Sequence, residues 1–220
     1  MRFILILLII LNVQQLKAGK GFEKRFGIIT KAELNRLKVE NTANQTEIRN
    51  AESWMSANGI YMSGSLSRFC FIDASVLLSR ARYEVNYARD NAVFLNANLR
   101  FLETNLHLNL ILNPRSEKLK VYGFGGMQLL SRRWGEETFI DHALARTFWP
   151  SSRVMYEAGA GMIWQASPVI SLQPFGGFRY AVKQQVVYDV NLNQWFAGLV
   201  LGFNIKGKPK DRYRKCPTDF

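Results

Sequence analysis

The sequence predicts an all-β chain, an antiparallel up-and-down transmembrane β-barrel of eight strands, on three observations. It opens with an export signal, it contains no later apolar run long enough for a spanning helix, and it alternates apolar and polar residues with a period of two through most of its length.

The export signal rests on Arg2, the unbroken apolar run from Phe3 to Leu11, and the short close Leu16-Lys17-Ala18. A spanning helix needs about 20 apolar residues, so this run reads as a secretory signal cleaved near Ala18. Residues 1–18 are then a signal peptide, 19–206 the barrel and 207–220 a basic tail. Hydrophobic residues make up 48% of the chain and aromatics 13%. Because they nowhere form a stretch of about 18, a helical membrane protein is excluded. The two cysteines, Cys70 and Cys216, exclude a disulfide-stapled miniprotein. The net charge of +12 directs an exported chain toward lipopolysaccharide phosphates, anionic headgroups or an acidic protein, with no nucleic acid among its expected partners.

The alternation is taken along the chain. Val93, Leu95, Ala97, Leu99 and Phe101 share one face, against Asn96, Asn98 and Arg100; Leu106, Leu108, Leu110 and Leu112 oppose Asn105, His107 and Asn109. Leu119, Val121, Met127 and Leu129 oppose Lys120, Gln128 and Arg132, with Gly123, Gly125 and Gly126 as close-packing or kink positions inside the strand. Val154, Tyr156, Ala158, Ala160, Met162 and Trp164 oppose Arg153, Glu157 and Gln165. Ile170, Leu172, Phe178, Tyr180 and Val182 oppose Gln173, Arg179 and Lys183, and the last row runs from Trp195 through Ala197, Leu199, Leu201 and Phe203 to Ile205. A tilted spanning strand needs about 9 to 11 residues, which these rows supply. Trp164 and Trp195, at row ends, are the expected interface belt.

Eight strands follow: 26–37, 68–86, 92–103, 105–112, 119–132, 152–165, 169–183 and 194–206, with a tight turn at Glu103 and Thr104. Short connections at 88–91, 113–118 and 166–168 read as periplasmic, and the longer stretches 38–67, 133–151 and 184–193 as external. An even count puts both termini in the periplasm. It also puts Cys70 at the external end, a barrel's height from Cys216, so the two are expected not to pair. A soluble calycin-like barrel shares the export, strand count and alternation, and would turn its apolar rows inward; periodicity alone leaves this alternative open.

This organisation resembles the small outer-membrane barrels of the OmpA transmembrane-domain and OmpX type, with a Lys-, Asn- and Leu-rich composition similar to those of Bacteroidota. The resemblance covers about residues 26–206 and is architectural, without a diagnostic motif. The last strand is similar to the signal read by the barrel-insertion machinery, with Gly198, Leu201 and Phe203, although Phe196 stands where a polar residue is usual. The resemblance implies outer-membrane lipid and that machinery as partners.

For chemistry, the chain offers two histidines. His107 sits on a polar row; His142, with Asp141 and Ser151 or Ser152, is the one local arrangement a lipid hydrolase could use, and it reads better as a solvated loop. No metal spacing is present, and no catalytic residue, cofactor or metal is expected. The polar rows predict a lumen charge network of Glu157, Arg179, Arg100, Arg82, Glu84 and Lys120, together with Glu33, Arg80 and Lys183; Glu157 and Arg179 are its expected ion pair. The tail residues Lys206, Lys208, Lys210, Arg212, Arg214 and Lys215, against Asp211 alone, predict a partner-binding arm. Trp54 in the first long loop, and Trp134 and Trp149 in the next, are interface candidates. The expected role is a structural or interaction component of an envelope assembly, for secretion, attachment or membrane integrity. A lipid-modifying hydrolase and a narrow channel are the alternatives.

Overall fold

The computed structural model describes residues 24–41, 51–86, 93–116, 118–139, 152–181, 188–191 and 194–205. They form a closed, all-antiparallel barrel of eight long strands: β1 (Lys24–Asn41), β2 (Ala51–Ser65), β3 (Cys70–Asn86), β4 (Val93–Ile111), β5 (Leu119–Phe139), β6 (Ser152–Gln165), β7 (Ile170–Ala181) and β9 (Gln194–Ile205). A short β8 (Tyr188–Asn191) pairs with the far end of β1. Each strand pairs with its chain neighbours, and β9 closes on β1 from Lys24 opposite Ile205 to Leu34 opposite Trp195. Closure leaves no edge, which is what a sheet in lipid requires.

The count of eight agrees with expectation, yet β1 runs to Asn41 and β5, with Trp134, to Phe139, into stretches expected as external loops, and two further boundaries are corrected. Residues 51–65, expected in an external loop, form β2, paired with both β1 and β3. Residues 92–103 and 105–112, expected as two strands, are one strand of 19 residues running straight through Glu103 and Thr104. Neither residue is a turn former such as Gly, Pro or Asn, so nothing local bends the chain there.

These two corrections reverse the direction of the early strands. The connections 66–69, 112–118 and 166–169 lie at the barrel end where β1 begins and β9 finishes; the connection between β3 and β4, expected with them, lies at the other end. Cys70 therefore starts β3 at the barrel end where β1 begins and β9 finishes, not at the opposite end as expected; Cys216 lies outside the described residues.

Side chains shape the short turns. Ser67 Oγ accepts from the amides of Phe69 and Cys70 at 3.1 and 3.2 Å, and Ser167 Oγ repeats this with Val169 and Ile170 at 3.2 and 3.0 Å. Asn113 does more, accepting from Val121 N at 2.6 Å and donating Nδ2 to Leu119 O at 2.8 Å. Such bonds give a tight connection the partners that the ladder no longer supplies.

Burial alternates along the strands, as in β6, where exposed and buried positions take turns almost throughout. The exterior carries the apolar rows: Leu106, Leu108, Leu110, Val154, Tyr156, Met162, Trp164, Leu199, Leu201, Phe203 and Ile205 are all exposed. The interior carries the polar rows, and this decides against the calycin-like arrangement, whose apolar rows would face in. Two inner clusters are nonetheless apolar, Ile29, Ala57, Tyr61, Leu77 and Val200 in one and Phe71, Tyr122, Phe124, Ile163 and Phe196 in the other, with Phe175 packed against both. Phe196, which departs from the usual terminal-strand pattern, is here a lumen residue, its ring 6.2 Å from Phe124 and 6.3 Å from Phe175.

Of Gly123, Gly125 and Gly126 in β5, only Gly126 is a close-packing position. A Cβ there would lie 2.6 Å from the His107 ring and closer still to Leu106 O, whereas at Gly125 it would meet nothing.

Candidate functional site

The lumen is the best-defined site, and it grows from the inward rows of seven strands. Lys31 and Glu33 come from β1, Asp73 from β3, Glu103 and His107 from β4, Gln128 from β5, Glu157 from β6, Arg179 from β7 and Gln194 from β9. Every one of them is buried.

Arg179 is at the centre and fully buried. Its Nη1 and Nη2 meet both oxygens of Glu33 at 2.8 and 2.6 Å, its Nε donates to Glu157 Oε1 at 2.8 Å, and Nη1 also donates to Gln194 Oε1 at 2.9 Å. Glu157 and Arg179 are direct cross-strand partners in the ladder. Lys31 Nζ completes the cluster, 2.7 Å from Glu33 and 2.8 Å from Glu103, which also accepts from Gln128 Nε2 at 2.7 Å. The planar fork of arginine suits this role, because it can hold one carboxylate two ways and still donate elsewhere.

A second arm runs from Glu157 to His107 and Asp73. The His107 ring nitrogens lie 2.7 Å from Glu157 Oε2 and 2.9 Å from Asp73 Oδ1, and Asn109 Nδ2 donates to Asp73 Oδ2 at 2.6 Å. With an acceptor on each nitrogen the imidazole is oriented from both sides. It has no nitrogen left to serve a nucleophile, so the arrangement is one of packing and charge balance rather than of acid–base catalysis.

Beside this arm lies a cavity of about 20 Å³, lined among others by Lys31, Asp73, Asn105, His107, Tyr122 and Phe124. That is room for water, not for a solute. Phe196 bounds the charged layer, with Lys31 Nζ 5.4 Å and the Arg179 guanidinium 5.6 Å from its ring centroid.

The residues expected in the lumen divide. Glu157, Arg179 and Glu33 are buried together. Arg80, Arg82 and Arg100 instead point outward and are exposed, and Lys120 is half-buried near the turn end of β5. The correction for Arg100 follows from the merged strand. Parity is fixed along a pleat, so if Leu106 and Leu108 face out then Arg100 does too, while Leu99 and Phe101, expected to face lipid, are buried inside. For Arg80 and Arg82 the row is shared with Ile72, Ala74, Val76 and Leu78, and it simply changes from apolar to basic along β3. The Glu84 side chain, Lys183, His142 and the tail from Lys206 to Lys215 lie outside the described side chains. Trp164 and Trp195 are on the exterior, 51% and 66% exposed, at opposite barrel ends.

Lys31, Asp73, Glu103 and His107 were not singled out for the network by the sequence. Glu103 was hidden by the supposed turn; had Asn105, His107 and Asn109 been extended backwards at a spacing of two, they would have reached it. Among the described residues no cluster of His, Cys, Asp and Glu is placed to hold a metal ion.

No protein-family model and no curated protein sequence matches the chain. Solved structures do. The outer membrane protein OprG of Pseudomonas aeruginosa superposes with a TM-score of 0.53, at 12% identity, over 84% of this chain and 96% of that one. This chain has the fold of small outer-membrane β-barrels. AlkL in lipid bilayers (TM-score 0.45, 13% identity, 86% of this chain and 91% of that one) and the N-terminal barrel of Pseudomonas aeruginosa OprF (0.41, 13%, 80% and 97%) are also similar. At these identities the likeness concerns architecture only.

Proposed function

We propose that this barrel is an integral outer-membrane protein with a closed lumen, acting as the anchor and interaction component of an envelope assembly for secretion, attachment or membrane integrity. The observation that carries the reading is the bonded cluster around Arg179, which joins the adjacent strands β6, β7, β9 and β1 and, through Lys31 and Glu103, crosses the bore to β4. An eight-stranded barrel has an interior only wide enough for side chains. Here those side chains are held by charge-assisted bonds, and the space left beside them is about 20 Å³. A bore filled in this way offers ions no wet route in this reading.

The apolar exterior supports membrane integration, since such a surface is favourable only against hydrocarbon. Both termini are then periplasmic, outer-membrane lipid and lipopolysaccharide surround the wall, and the insertion machinery meets the chain during assembly. With the bore filled, the surfaces left for partners are the long connections and the basic arm from Lys206 to Lys215.

Planar-bilayer recording tests the closed lumen: purified protein is expected to insert without current steps, and sustained stepwise conductance by the wild type would sink the proposal. Truncation after Gly207 tests the arm. The truncated barrel is expected to insert but to lose a cross-linked envelope partner that the full chain retains at low salt and releases at high salt. Screening over a Debye length of about 8 Å at physiological ionic strength is the reason.

A further inference from the structure

The arm of Asp73, His107 and Glu157 needs more hydrogens than a neutral imidazole has. His107 lies on the inward row of β4, with Asp73 Oδ1 2.9 Å from Nδ1 and Glu157 Oε2 2.7 Å from Nε2. A neutral ring carries one N–H and one lone pair, so one carboxylate would face that lone pair at hydrogen-bond distance. Only an imidazolium donates to both.

The surroundings keep the two carboxylates charged, which leaves the ring as the seat of the proton. Asp73 Oδ2 accepts from Asn109 Nδ2 at 2.6 Å, and Glu157 Oε1 accepts from Arg179 Nε at 2.8 Å with Lys31 Nζ 3.7 Å away. Tyr61 of β2 and Tyr122 of β5 line the same cavity, to which β9 contributes the apolar Val200. Arg25 of β1 shares a rung with Asp73 through Ser63 and donates to Asn204 at 3.2 Å. The ring itself is confined. Phe124 lies 5.0 Å from it, centroid to centroid, and the backbone of β5 at Gly126 comes against its edge. The space alongside is about 20 Å³, room for water but not for the imidazole to swing away from either carboxylate.

We propose that the bore binds a proton at His107, and that the resulting imidazolium ties β3 to β6, three strands apart in the closed sheet, from the inside. The inference deepens the closed-lumen reading and rests on it, because water in the bore would solvate both carboxylates and remove their need for the ring. Alkali then weakens the barrel. The folded chain keeps a proton that the unfolded chain gives up above about pH 6.5, so each further pH unit favours unfolding until the folded barrel releases it too.

The test is nitrogen-15 spectroscopy of the full chain, labelled at histidine and folded into phosphatidylcholine vesicles, with His142→Gln so that His107 is its one imidazole. Both ring nitrogens are expected to give the protonated signal at about pH 8, where an ordinary imidazole is about 97% neutral. One bare nitrogen in a barrel that passes no current would overturn the proton site alone; one bare nitrogen in a barrel with sustained conductance would overturn it together with the closed lumen. Asp73→Asn keeps the shape and removes one charge, so its ring is expected to have lost the second hydrogen at that pH. A ring still doubly protonated would overturn the tie to β3, and if the variant lacks the folded barrel's gel mobility the wild-type ring decides alone. In urea titrations between about pH 7 and 9, the folded-to-unfolded ratio is expected to fall, relative to that of His107→Gln, by up to about tenfold per pH unit. Equal slopes would show that no proton is taken up there on folding.

Discussion

Arg179 donates to acceptors on three other strands, and its carboxylate partners Glu33 and Glu157 are themselves buried. Removing it leaves two carboxylates facing Lys31 and His107 alone. Breaking a buried ion pair from one side costs about 3–5 kcal/mol, because the remaining charge keeps its desolvation penalty and loses its partner. Arg179→Ala is therefore expected to lower the unfolding free energy of the folded barrel, read from urea titration, by that amount, and Arg179→Lys to recover only part, since an ammonium cannot reproduce the fork to Glu33. A midpoint unchanged by Arg179→Ala would mean that the cluster is solvated rather than closed. Gly126 belongs to the same scale. Any Cβ there meets His107, so the residue without a side chain is what lets the imidazole lie flat between Asp73 and Glu157.

A strand's outward row meets different solvents along its length, and β4 displays the whole sequence. Leu112 lies just past the turn end, Leu108 and Leu106 follow along the strand and Arg100 comes beyond them, all on one face. Depth sets the cost of a charge on that face: about 2–4 kcal/mol for arginine at the bilayer midplane, falling to about 0–1 near the interface. Leu106→Arg is thus expected to destabilise the barrel in vesicles several-fold more than Leu112→Arg, as read from unfolding midpoints. Equal effects would show that this face is not graded by hydrocarbon. The gradient also explains the misplacement of Arg82 and Arg100. Period two tells which residues share a row, but a row that leaves the hydrocarbon changes character without changing side.

For the whole molecule the direction of β3 and of the first half of β4 follows from β2. With Ala51–Ser65 in the sheet, Cys70 comes to the end where the chain enters and leaves the barrel. Cys70 is half-buried, its Sγ 3.3 Å from Ser67 Oγ. In a Cys216→Ala background on intact cells, Cys70 is expected to resist a membrane-impermeant maleimide and to react once the outer membrane is permeabilised. Labelling of intact cells would invert the barrel, and would carry Arg80 and Arg100 to the inner leaflet.

The sequence by itself determined which side chains share a face in the stretches 105–112, 152–165 and 194–205, because two-residue alternation is a local property of an extended chain. From that it determined the fold class and the pairing of Glu157 with Arg179 across a tight turn; which rows face outward was decided by the structure. It did not determine β2, where Ala51–Ser65 mixes Asn, Ser and Gly with apolar residues and becomes a strand only between β1 and β3. Nor did it determine the lumen cluster. Glu33 and Arg179 are 146 positions apart, and they meet because the sheet closes β9 onto β1 and points both rows at the same axis. Closure brings together residues that no spacing rule relates, so the contents of the bore were decided by the tertiary structure alone.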